Sequence, residues 1–129
     1  MDGFATLDLP ATPDAIAMDG SDVRVLLRVH GGSLAHFELA PGQTSRAVVH
    51  QKYDEIWYFL NGQGEMWRKL GDQNEVVPVL AGTCVTIPAG THWQFRAFGD
   101  RPLAVVGVTL PPWNGDDYTD FVEGEWPST

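Results

Sequence analysis

Residues 42–62 decide the fold: Gly42-Gln43-Thr44-Ser45-Arg46-Ala47-Val48-Val49-His50-Gln51-Lys52-Tyr53-Asp54-Glu55-Ile56-Trp57-Tyr58-Phe59-Leu60-Asn61-Gly62. Two runs rich in β-branched and aromatic residues, 47–50 and 55–60, flank a short loop. Such runs suit a pleated, half-buried surface and read as strands. Asn61-Gly62 tolerates positive φ and predicts a tight turn that lays 55–60 antiparallel to 65–70. The same grammar extends outward. The run 23–29 ends at Gly31-Gly32, 35–39 ends at Pro41-Gly42, and 65–70 ends at Gly71-Asp72-Gln73-Asn74. Runs at 76–80, 83–87, 92–95 and 103–110 complete the series. Turn residues recur roughly every 8–12 residues, the mark of an antiparallel sandwich or barrel. No stretch sustains helical periodicity.

The chain has 129 residues, enough for one core. With 43% hydrophobic and 19% charged residues, extended disorder is excluded. No apolar run is long enough to cross a membrane as a helix, and the first residues lack the pattern of a secretory signal. Cys84 is the only cysteine, so no intrachain disulfide forms. It reads as a core residue, and a cytoplasmic location is expected. Five acids precede Arg24 and five follow Trp113, so seven acids and eight bases remain between them. The net charge of −9 therefore sits in the tails. Without a basic footprint, neither nucleic acid nor an anionic membrane is an expected partner.

Within the opening stretch, Gly42, five residues, Val48-Val49-His50, four residues, Glu55, six residues and Gly62 resemble the first motif of the cupin superfamily, G-x5-H-x-H-x4-E-x6-G. Downstream, Gly82, five residues and Pro88-Ala89-Gly90-Thr91-His92-Trp93 resemble the second motif, G-x5-P-x-G-x2-H. The resemblance implies an all-β fold: a single-domain, cupin-type antiparallel β-barrel (a double-stranded β-helix, jelly-roll-like). The barrel would span 23–110, after an N-terminal arm at 1–22 that can hold one short strand. An acidic C-terminal tail, 111–129, would pack back through Tyr118, Phe121, Val122 and Trp126. Small cupins commonly form homodimers through sheet edges or an exchanged N-terminal strand, so a homodimer is implied as well.

Metal-binding cupins direct three histidines and one glutamate into the barrel. Here His50 and Glu55 match, Val48 replaces the first histidine, and Trp93 stands at the motif-two position with His92 one residue early. A one-residue offset on a strand sends a side chain to the opposite face. Two outcomes stay open. If a bulge turns His92 inward, then His50, Glu55 and His92 form a two-histidine, one-carboxylate set for iron, manganese, nickel or zinc. If Trp93 points inward, no cofactor is expected, and His50 and Glu55 remain as a general acid–base pair. Strand parity then places Arg46, Val48, Trp57, Phe59, Trp93 and Phe95 around a pocket for a small organic molecule. His36 reads as an ordinary strand residue. The leading expectation is isomerase, cyclase or lyase chemistry by His50 and Glu55 on a sugar- or polyketide-like acid. The alternatives are a metal-dependent oxygenase or isomerase and a non-catalytic ligand-binding module.

Overall fold

The computed structural model describes residues 3–115 and 119–129. Among them are eleven strands: β1 (Ala15–Ile16), β2 (Asp22–Val29), β3 (Gly32–Leu39), β4 (Val48–His50), β5 (Asp54–Asn61), β6 (Gln63–Leu70), β7 (Gln73–Leu80), β8 (Cys84–Ile87), β9 (His92–Phe98), β10 (Leu103–Leu110) and β11 (Thr119–Phe121). The described residues include no helix, and so none long and apolar enough to cross a membrane. A six-stranded sheet runs β1-β2-β3-β10-β5-β8 and a five-stranded sheet runs β11-β4-β9-β6-β7. All pairings are antiparallel.

Alternation sorts the side chains. On β5, Glu55, Trp57 and Phe59 are buried while Ile56, Tyr58 and Leu60 face out. The two sheets close over a core that includes Leu39, Phe59, Met66, Ile87, Phe95, Leu103 and Val105. Such burial supplies the main driving force for folding. Cys84 does not join this core. It pairs with Tyr58 on the outward-facing register of β8 and is exposed, while Val85 and Ile87 point inward.

The tight turn expected at Asn61-Gly62 is instead a corner between sheets. Asn61 pairs with Ala104 in one sheet, and Gln63 pairs with Leu80 and Phe98 in the other. Gly62 has φ +83°, and a Cβ there would lie 2.3 Å from the Pro102 carbonyl oxygen. Positive φ serves a sheet-switching corner as well as a hairpin, so the dipeptide alone does not separate the two. The reversal lies one strand later, where Leu70 pairs with Gln73.

Both ends of the chain pack on the barrel. In the arm, Ala15 pairs with Val23, and Arg24 donates to the carbonyls of Pro10 and Ala11. In the tail, β11 pairs with β4, and Gln94 donates to the Trp126 carbonyl and accepts from its N–H. Arg46 lies 3.5 Å from the Phe121 ring centroid, and Arg96 lies 4.1 Å from that of Trp126. The tail thus packs back through Phe121 and Trp126, as its aromatics suggest. Tyr118 lies outside the described residues.

One glycine of β10 sets the interior spacing. A Cβ on Gly107 would meet Trp57 at 2.8 Å, so the bare backbone lets the indole lie against the strand. Gly107→Ala is expected to lower stability by about 1–3 kcal/mol through overpacking, measured by denaturant unfolding. Unchanged stability would place the Trp57 ring elsewhere.

Candidate functional site

A cavity of about 140 Å³ opens beside this core. Strand parity delivers Val48 and His50 from β4, Glu55 and Trp57 from β5, and Trp93 from β9. Val48 and Trp93 are cross-strand partners and share the inner face. Val49 and His92 are the adjacent pair, so His92 is directed away from the cavity. No bulge interrupts this pairing, and Trp93 is the inward residue.

That register separates His92 from the other two candidate ligands. Among the described residues no three His, Cys, Asp or Glu side chains converge on a common point, so His50, Glu55 and His92 are not a ligand set. The two interior residues already have partners. Trp57 Nε1 donates to Glu55 Oε1 at 3.0 Å, and His50 Nδ1 is hydrogen-bonded to Thr119 Oγ1 at 2.7 Å. These residues do not fit a resident transition metal, which needs at least three converging protein donors.

Three other expected lining residues lie outside the cavity. Phe59 and Phe95 belong to the packed core, completely shielded from solvent. Arg46 precedes β4, where the two-residue period no longer applies. It is exposed and lines a separate crevice with Phe121, Gln94 and Trp126. His36 is buried on the opposite side of β3 from Phe37, and burial together with nearby Arg24 lowers its pKa.

Sequence reasoning missed several wall residues. Phe37 and Thr109 follow the same alternation along β3 and β10 and were accessible to a parity argument. Asp19 comes from the arm, and Trp113 and Thr119 come from the tail. Their placement depends on long-range docking that no local pattern encodes.

The electrostatics centre on His50 and Glu55. His50 Nε2 lies 3.4 Å from Glu55 Oε2, a residue only 4% exposed. Burial pushes the Glu55 carboxyl up to about 7, net of a lowering by the Trp57 N–H and a smaller raising by Asp19. Burial also lowers His50 to about 4. Between these values the pair is a carboxylic acid beside a neutral imidazole. Trp57 occupies Oε1 as a donor, which leaves the proton for Oε2. Oε2 is buried and has no aligned hydrogen-bond partner, even with Nε2 nearby. When Thr119 accepts from Nδ1–H, the Nε2 lone pair faces the acid.

Thr119→Val removes that acceptor. The expected result is about 1 kcal/mol of lost stability and loss of the Nδ1–H tautomer preference in ¹⁵N NMR, with Thr119→Ser restoring both. An unchanged tautomer in the valine variant would show that Thr119 does not set it.

Comparison with known proteins agrees with this geometry. The cupin domain family matches residues 35–109. An uncharacterized protein of Methanocaldococcus jannaschii is 32% identical over 115 residues, covering 84% of this chain and 86% of that one. A Klebsiella pneumoniae protein with a double-stranded β-helix domain superposes with a TM-score of 0.65 at 21% identity, covering 81% of this chain and 85% of that one. A nucleoside dehydratase of Streptomyces superposes with a TM-score of 0.69 at 16% identity, covering 92% of each chain. At these identities the two structures share the fold with this chain, and activity does not follow from fold. With its glycine and proline framework, two-sheet barrel and inward His50 and Glu55, the chain belongs to the cupin family.

Proposed function

We propose that the barrel cavity is an active site in which His50 and Glu55 run metal-independent acid–base chemistry, an elimination or isomerisation, on a small organic molecule. The observation that carries this reading is the buried Glu55 Oε2, 3.4 Å from His50 Nε2 and lacking an aligned partner of its own. A catalytic acid and base need pKa values on either side of the working pH and a shared approach to the substrate. The likeness to a nucleoside dehydratase supports the reading as analogy only.

In an elimination, His50 Nε2 takes a proton from carbon, and the C–H electrons form the new double bond. The C–O bond breaks, and its oxygen takes the Glu55 proton and leaves as water. Transfer of the proton from Nε2 back to Oε2 restores both groups. Trp57 and Thr119 keep the reacting atoms facing one another throughout.

The pH dependence has a defined sign. Below about 4 His50 is protonated and the base is lost, and above about 7 Glu55 is ionised and the acid is lost. Dehydration of a panel of β-hydroxy carbonyl compounds, followed by loss of substrate, is expected to give a bell-shaped kcat/KM between these limits. His50→Gln and Glu55→Gln are each expected to lower it about a hundredfold. Turnover untouched by both substitutions would refute the assignment. Ligand-dependent stabilisation with no turnover of any compound would favour a binding module.

A further inference from the structure

We infer that Thr109 is a substrate-binding residue of the acid–base site, its hydroxyl holding the hydroxyl group that leaves as water from a substrate without negative charge. This deepens the acid–base reading and rests on it.

The β5–β10 register puts Thr109 beside the proposed acid. Val105, Gly107 and Thr109 lie opposite Phe59, Trp57 and Glu55. Those three residues are the inward set of β5, so Thr109 faces inward with Glu55. Directly opposed residues of an antiparallel pair have Cβ atoms about 4.5–5.5 Å apart. On its other flank Glu55 pairs with Ile87 of β8. Thr109 is thus the polar cross-strand neighbour of Glu55, and both residues line the cavity.

The two groups have complementary hydrogen-bonding capacity to spare. Thr109 is 5% exposed, and its hydroxyl has no hydrogen-bond partner among the described residues. The Thr119 hydroxyl, by contrast, is bonded to His50. Buried polar side chains are mostly hydrogen-bonded, so an idle hydroxyl on a cavity wall points to a ligand. Glu55 Oε2 also lacks an aligned partner. In the acid–base reading Oε2 carries the proton to be given. A ligand hydroxyl placed between them accepts from Oε2–H and donates its own hydrogen to Thr109 Oγ1. That donation turns a lone pair of the ligand oxygen toward the acid. In the elimination the Glu55 proton passes to this oxygen and the C–O bond breaks. The water so formed keeps its hydrogen bond to Thr109 until it leaves.

The remaining walls set the charge of the substrate. No lysine or arginine is among the described lining residues. Asp19 Oδ1 already accepts from the Ser21 N–H and hydroxyl, and Glu55 Oε1 from Trp57. A carboxylate or phosphate entering this space loses its hydration and finds no countercharge. Phe37, Trp57, Trp93 and Trp113 offer aromatic surface to a carbon skeleton. Of the sugar- or polyketide-like acid expected from family analogy, the hydroxyl-bearing skeleton suits this cavity and the acid group does not.

The test uses three compounds of nearly one shape, titrated calorimetrically into the full chain. Butane-1,3-diol presents a terminal hydroxyl, pentan-2-ol a methyl in its place, and 3-hydroxybutanoate a carboxylate. The diol is expected to bind about fivefold tighter than pentan-2-ol, with no detectable binding of the acid. Thr109→Val keeps a β-branched side chain on the strand and is expected to abolish the preference for the diol, while Thr109→Ser retains it. Because the hydroxyl has no partner in the protein, the valine variant is expected to lose no stability in denaturant unfolding. A preference for the diol that survives the valine substitution, or one absent from the unsubstituted chain, would overturn the inference. So would acid binding as tight as that of the diol, or a valine variant that loses stability as a structural hydroxyl demands. The ranking requires no turnover. Failure of the acid–base reading shows separately, as turnover untouched by His50→Gln and Glu55→Gln.

Discussion

Glu55 is a carboxyl group held out of water among aromatic rings, and its surroundings are arranged around that burial. An isolated buried carboxylate is costly, so the group either finds a cation or keeps its proton. No guanidinium or ammonium is among the described residues lining the cavity. The Trp57 N–H satisfies one oxygen, and the other faces the His50 imidazole. The same burial that raises Glu55 lowers His50, so the two rest as neutral partners rather than as an ion pair. Fewer than three donors converge at this position among the described residues, and the geometry suits proton transfer instead. It leaves an acid and a base close together in an apolar space.

The barrel alone does not build that site. β4, β5 and β9 bring His50, Glu55 and the two inner indoles together, while Gly107 of β10 gives Trp57 room to reach the carboxyl. The ends of the chain then complete it. The arm supplies Asp19, and the tail supplies Trp113 and the Thr119 hydroxyl that holds the imidazole. The acidic segments are therefore more than solubilising ends, because each contributes a polar group to the cavity wall.

The sequence legibility divides along physical lines. Strand positions were readable because alternation and turn chemistry are local, and the buried set Glu55, Trp57 and Phe59 follows from parity alone. The inward Trp93 and outward His92 follow from the same rule. Asn61-Gly62 was misread because a positive φ fits both a hairpin and a corner between sheets. Arg46 was misplaced because it lies just before the ladder, where alternation stops. Phe59 and Phe95 face inward as parity requires, but parity gives direction and not depth, and both are fully buried in the packed core. Asp19, Trp113 and Thr119 reach the cavity through tertiary docking and left no local signature. The protonation balance depends on burial, which parity indicates only coarsely.

The central claim is that His50 and Glu55 form a neutral acid–base pair at working pH. Its most direct test is an NMR titration of the unliganded protein, following the Glu55 carboxyl carbon and the His50 ring nitrogens. The account predicts that Glu55 titrates near 7 and that His50 stays neutral, with its proton on Nδ1, down to about pH 4. A Glu55 carboxyl ionised in the ordinary carboxylate range, beside a His50 imidazolium that persists to neutral pH, would contradict it.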